Sequence, residues 1–192
     1  MTLWSRTRTA VYGEITRTAM ELFLERGFEA TTIDDIAAAA GISRRSFFRY
    51  FGTKEDVVLG DLVARGELIR DAFEARPESE DPWTALLGAL HSVKDAADET
   101  DAEMLKVFKM VHQTPSLRAR SIEKHLQWQA LLTPEVRRRL GADPADPFDV
   151  RAEALVATVL TCLDVAGEAW ARGDGAVPLE GLFDAAAAAV RG

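Results

Sequence analysis

A single cysteine, Cys162, stands among 192 residues. No intramolecular disulfide can form, and a cysteine-rich zinc site is implausible. Prolines number only 7, which leaves room for long uninterrupted helices. No continuous apolar run approaches the ~20 residues that span a bilayer. The opening "MTLWSRTRTAVY" has no apolar stretch followed by a cleavage site, so no signal peptide is expected and the cytoplasm is the default location. The chain also lacks a phosphate-cradling glycine loop, a nucleophile elbow and any His/Cys/Asp cluster at ligand spacing. His91, His112 and His125 are too scattered for a metal site. No enzyme, cofactor or metal is expected.

Charge is present but unevenly placed. The net charge is −8. Residues 1–54 carry 8 Lys/Arg against 6 Asp/Glu, a net of +2, whereas the rest carries 15 against 25, a net of −10. Such asymmetry suits a front end that meets a polyanion, although scattered charges on solvated helices give the same count.

The patterning predicts helices throughout and no strand. "EITRTAMELFLERGF" places Ile15, Ala19, Leu22 and Phe23 on one stripe and ends at Gly27, a C-terminal cap position. A second helix opens at Thr32, with Asp35 completing a capping box, and breaks at Gly41. Ser43 caps a third, Arg44 to about Phe51. Thr53 caps a longer one, Lys54 to about Ala75. After the polar break "RPESEDP", helices are expected over 83–98, 104–112, 117–140, 148–171 and 179–190. The fold class is all-α with about nine helices. The expected division is 1–54, with a flexible arm over 1–11, and 55–192.

Two short helices joined by a glycine turn are the ingredients of a helix-turn-helix, whose second helix enters the major groove. With Phe47 and Phe51 turned inward, Arg45, Ser46 and Arg49 point outward, flanked by Phe48 and Tyr50, with Arg44 in the first turn. Arginine forms two-pronged bonds to guanine edges, and an aromatic touches a thymine methyl. Ser43, Tyr50 and Lys54, with the amides near Thr32 and Thr53, are placed to hold phosphates. Arg6 and Arg8 are candidates for a minor-groove arm, against the favoured reading of a disordered basic tail with weak phosphate contact. The competing reading is an ordinary surface helix with solvated arginines. Against it, the helix carries no acidic residue.

"AMELFLERGFEATTIDDIAAAAGISRRSFFRYFGTKEDVV" resembles the DNA-binding domain of the TetR family of bacterial transcriptional regulators. The resemblance covers about residues 12–60. It rests on Leu22-Phe23, Gly27-Phe28, Thr31-Thr32, Ile36-Ala37, Ala40-Gly41-Ile42-Ser43 and Tyr50-Phe51-x-Thr53-Lys54-Glu55. It implies a homodimer that binds a palindromic operator on double-stranded DNA and releases it when a small molecule enters the C-terminal domain. "RRSFFRYFGTKEDVVLGD", the turn "QTPSLRAR" and Trp128 are similar to mycofactocin-type regulators of that family, which implies a long-chain acyl-CoA as ligand. The resemblance also implies that the last two helices pair with their copies as a four-helix bundle, with Ala157, Leu160, Asp164, Ala169, Phe183, Ala186 and Val190 at the interface.

For a pocket that takes a small lipophilic effector, the middle helices supply Trp83, Leu87, His91, Met104, Phe108, Val111, His112, Trp128 and Leu155. Plain core is the alternative for most of these. "VRRR" at 136–139 reads as a solvated helix end. Two rivals to a repressor stay open: an activator on the same fold, and a helical binding protein that sequesters a lipophilic ligand without reading DNA.

Overall fold

The computed structural model describes residues 3–60, 62–97, 100–143 and 145–191, with the side chains of 3–7, 9, 62 and 63 left aside. The described chain forms two compact units. The first is Met1–Gly60 together with Thr114–Leu117, and the second is Asp61–Gln113 with Arg118–Gly192.

In the first unit, α1 (Leu3–Arg26), α2 (Ile33–Ala39), α3 (Arg44–Phe47) and α4 (Lys54–Leu59) enclose one core. Ile15, Ala19, Leu22 and Phe23 of α1 are buried with Phe28, Ile36, Ala37, Phe47, Phe51, Val57 and Val58. The Phe23 and Phe28 rings lie 4.9 Å apart, and Phe51 stands 5.4 Å from Phe47 and 4.5 Å from Tyr12. Gly27 ends α1 with φ 89°, a left-handed conformation that costs glycine little. α1 begins at Leu3, so the residues expected to form an arm through position 11 are helical from Leu3 onward. No helix-breaking residue precedes Gly13 to stop them. Arg8 is exposed, and the side chain of Arg6 lies outside the described residues.

The helix expected from Lys54 to Ala75 is two. Gly60, at φ 69° and ψ −164°, adopts a backbone that only glycine tolerates well. The chain resumes as α5 (Leu62–Glu74). The first unit therefore extends beyond the expected limit at residue 54, because α4 contributes Val57 and Val58 to its core.

The second unit contains α5, α6 (Pro82–Asp95), α7 (Asp101–Gln113), α8 (Pro115–Arg139) from Arg118 onward, α9 (Arg151–Arg172) and α10 (Leu179–Arg191). No strand occurs among the described residues. α9 is the central element. By length and composition it is apolar enough to cross a membrane, but Val156, Val159, Leu160, Cys162, Ala166 and Trp170 are buried in the core with Phe73, Leu86, Leu132, Val136 and Phe183. Two close approaches need glycine. A Cβ on Gly66 of α5 would come within 2.6 Å of the Trp128 ring, and one on Gly167 of α9 within 2.1 Å of Phe108.

Of the arginines of "VRRR", Arg138 is exposed as a solvated end would be, but Arg137 and Arg139 are drawn into packing. Arg139 donates to the carbonyls of Phe73, Arg76 and Pro77 at 3.0–3.1 Å, and its guanidinium lies 4.5 Å from the Phe73 ring centroid. It caps the end of α5 from another helix. Arg137 pairs with Glu153, and Arg138 with Glu78 and Glu135.

Candidate nucleic-acid interface

The turn between α2 and α3 is built from Gly41, at φ 65°. Ile42 donates its N–H to the Ala37 carbonyl at 2.9 Å, the six-to-one bond that closes a helix ending on a left-handed residue. Ser43 then restarts the chain, its side chain accepting from the Ser46 N–H at 3.1 Å. The regular helix runs only from Arg44 to Phe47, tightening into turns through Tyr50, whose N–H bonds the Phe47 carbonyl at 2.9 Å. Phe47 is fully buried and Phe51 nearly so. That anchors one face and turns the other outward.

On the outward face, Arg44, Arg45, Phe48 and Arg49 are exposed. Arg45 and Arg49 have no ion-pair partner among the described residues. The Arg49 guanidinium lies 5.3 Å from the half-buried Tyr50 ring. Phe48 keeps 46% of its surface exposed, edge-on to Phe47, with Arg44 above its ring at 5.7 Å. An exposed phenylalanine flanked by cations matches what a groove-reading surface needs, since thymine offers a methyl and guanine two acceptors.

Other expected contacts are differently engaged. Arg44 pairs with Asp34 at 2.8 Å, so its charge is partly offset before any DNA arrives. The Ser43 and Ser46 hydroxyls lie 3.0 Å apart and bond each other. At Thr32, the N–H donates to Asp35 at 2.9 Å while the hydroxyl oxygen accepts from the Asp35 N–H at 3.1 Å. The Thr32 hydroxyl also donates to the Asp35 carboxylate at 2.5 Å, and that bond, with the one from the Thr32 N–H, holds the carboxyl below its ordinary pKa. Thr53 has the same capping box with Asp56. Both N-cap amides expected to receive phosphate are thus already satisfied by carboxylates.

Lys54 is corrected most. Its ammonium donates to the carbonyls of Phe28 at 2.7 Å and Thr31 at 3.1 Å and lies 4.2 Å from the Phe28 ring centroid. It ties α4 to the loop before α2, so it positions the interface. Thr31, buried beside it, donates to the Gly27 carbonyl at 2.8 Å. Nothing in residue spacing marks Asp34 or Thr31 for these roles, because both partners come from folding.

Most of the residues expected to line a ligand pocket lie in or against the packed core of the second unit. Trp128 and Val111 are buried, and Trp83, Leu87, Met104, Phe108 and Leu155 are half-buried against the core. The two histidines retain unpaired buried nitrogens, Nε2 in His91 and Nδ1 in His112. His91 meets Phe183 edge-on at 5.6 Å, and His112 stacks on Phe108 at 6.2 Å. Burial lowers the His112 pKa; Arg118 pushes the same way, against opposing pulls from Glu168 and Asp164. A separate groove of about 890 Å³ is lined by Leu126, Ala130, Thr133, Pro134, Arg137 and Glu153, among others, and by none of the expected pocket residues.

Of the expected dimer residues, Leu160 and Phe183 are buried inside their own unit and do not face outward. The 3.6-residue period places both on the inner faces of α9 and α10. Ala157, Asp164, Ala169 and Ala186 are half-buried, and the Asp164 carboxylate lies at hydrogen-bond distance, 3.0 Å, from His125 Nδ1. Val190 is exposed. The outward face of α9 carries Ala154, Thr158, Thr161 and Val165, of which Val165 is 55% exposed.

The bacterial regulatory proteins of the tetR family match residues 15–60, and the MftR C-terminal domain matches residues 80–192. TcmR of Streptomyces glaucescens, a helix-turn-helix transcriptional regulator, is 33% identical over 144 residues, covering 72% of this chain. The match spans 64% of that relative's length. The mycofactocin biosynthesis regulator MftR of Mycobacterium tuberculosis is 31% identical over 144 residues, 73% of this chain and 71% of that one. FadR of Thermus thermophilus, a TetR-family transcriptional repressor solved with lauroyl-CoA, superposes with a TM-score of 0.56 at 25% identity, covering 91% of this chain and 90% of that one. With the helix-turn-helix in its first unit and the MftR-type domain in its second, the chain belongs to the TetR family of bacterial regulatory proteins.

Proposed function

We propose that the chain is a cytoplasmic, ligand-responsive transcriptional repressor. It binds a palindromic operator as a homodimer and leaves it when a small lipophilic effector binds the second unit. The observation that carries this reading is the outward face of α3 and its following turn, where Arg45, Phe48 and Arg49 are exposed on a helix anchored by Phe47. In a dimer, two such faces about 34 Å apart meet successive major grooves on one side of B-DNA. The outer faces of α9 and α10, with Thr161, Val165 and Val190, supply the contact between copies. The effector acts by population shift, favouring a dimer whose reading heads are wrongly spaced, and its leverage equals its differential affinity for the two states. The lauroyl-CoA bound by the Thermus repressor supports an acyl-CoA as effector.

Selection of bound sequences from a random duplex pool at near-physiological salt tests the reading. A recovered palindrome, with affinity falling steeply as salt rises, is the expected result. Enrichment no better than background would remove the DNA-reading role and favour a helical ligand carrier. Adding lauroyl-CoA to the selected duplex complex then tests the effector, which should release the DNA.

A further inference from the structure

The groove over the second half of α8 holds two buried side-chain oxygens without hydrogen-bond partners. Its apolar lining comes from Leu126, Ala130 and Pro134. Pro134 stands inside the helix and has no N–H, so the carbonyl of Ala130, four residues earlier, loses its helical donor. The Thr133 hydroxyl is buried without a hydrogen-bond partner. The Glu153 carboxylate gives one oxygen to Arg137, and its other oxygen, Oε2, is buried with no partner. All four residues line one space of about 890 Å³, near the upper end of the range for small-molecule sites. Buried acceptors without donors cost stability unless something satisfies them.

The charges around the groove decide what that something is. Arg137 is offset by Glu153 and also feels Asp149, and Arg138 is offset by Glu78 and Glu135. Neither an anion nor a cation finds an uncompensated partner there. What remains open is a pair of buried oxygens without partners, Thr133 Oγ1 and Glu153 Oε2, next to an apolar wall.

We propose that this groove binds a neutral, largely apolar molecule bearing a hydroxyl group, an alcohol or phenol, that donates to Glu153 Oε2 or the Ala130 carbonyl and engages the Thr133 hydroxyl. The site is separate from the core side chains of α6 and α7. It does not depend on the DNA-reading role, because the test reads binding to the protein alone.

The probe is 2-naphthol, with 2-methoxynaphthalene as the control that keeps the apolar body and lacks the donor. Both are titrated against the full chain by fluorescence, with amide shifts followed by NMR. 2-Naphthol should bind saturably and move the amides of residues 126–133 and 153. Its methyl ether should bind about 3- to 10-fold more weakly, as expected for one lost hydrogen bond. Thr133→Val should narrow that difference. Ala130→Trp, at an exposed position, should abolish binding without lowering the melting temperature. Equal affinity for the two compounds, amide shifts centred elsewhere, or no saturable binding up to the solubility of 2-naphthol would each overturn the proposal. A change in oligomeric mass on Ala130→Trp would overturn it too, by showing this face to be covered by a second copy. Operator binding measured in parallel keeps a failure here distinct from a failure of the DNA reading.

Discussion

Lys54 stands with its ammonium 4.2 Å from the centroid of the Phe28 ring and donates to that residue's carbonyl at 2.7 Å. Ring and carbonyl belong to the loop that launches α2, so one side chain holds the start of the helix-turn-helix to α4. Lys54→Met keeps the stem and removes the charge. Two charge-assisted bonds are lost and two carbonyls are left short of a donor, which should cost about 1–3 kcal/mol. Thermal melting should show it directly. Affinity for DNA should fall about equally on operator and random sequence, because positioning is lost and no base contact is. A loss confined to affinity, with melting unchanged, would return Lys54 to the phosphate role.

On the proposed reading Arg45 and Arg49 contact bases, and Arg44 is set apart by its bond to Asp34. Arg45→Ala or Arg49→Ala should cost ~1–3 kcal/mol on a selected operator and much less on random duplex. Asp34→Asn removes a negative charge beside the interface and releases Arg44. Affinity for any duplex should then rise a few-fold, and the salt dependence should steepen by up to one phosphate contact. Gel shifts at two salt concentrations measure both effects. Unchanged affinity in Asp34→Asn would mean that the Asp34 pair does not restrain Arg44.

Much of this was legible in the chain itself. The Thr32–Asp35 box, the Gly27 and Gly41 stops and the inward Phe47 and Phe51 all follow from local chemistry within four or five residues, so sequence spacing reports them faithfully. What escaped depends on partners distant in sequence. Asp34 meets Arg44 ten residues on, Lys54 reaches back to Phe28, and Arg139 reaches Phe73. From charge alone, Arg44 and Lys54 looked free for DNA and Arg139 looked solvated. Gly60 escaped for another reason: a lone glycine within a helical pattern is ordinarily tolerated, and only its left-handed φ shows the break. On α9 and α10, small residues on several faces concealed which side turns inward, so Leu160 and Phe183 were misplaced.

The corrected faces of α9 give a sharp test of dimerisation. Val165→Glu puts a charge on an exposed position with no role in the subunit core. The melting temperature of the isolated subunit should change little. Sedimentation should show a shift toward monomer, and operator affinity should collapse because two half-sites are no longer engaged together. Phe183→Ala, inside the core, should behave oppositely, costing ~3–5 kcal/mol of stability. If Val165→Glu stays fully dimeric, another surface joins the copies.

Acidity should act through His112. Burial lowers its pKa below the ordinary 6.5, and although Arg118 assists, the carboxylates of Glu168 and Asp164 pull the other way. In the unfolded chain the same imidazole titrates near its ordinary value. Between the two pKa values the unfolded state therefore binds more protons, and stability rises with pH across that window. The contribution is fully present above pH 6.5 and is lost as pH falls through the folded pKa. Capping carboxylates such as Asp35, whose pKa is also lowered, lose theirs only further down, below the ordinary carboxylate range. Denaturant midpoints at pH 7.5 and pH 5.5 should thus differ, with the protein weaker at the lower value. His112→Leu removes the titrating group, keeps an apolar side chain against Phe108, and should flatten most of that difference. If the variant loses as much stability on acidification as the parent, the charge that matters in this window lies elsewhere.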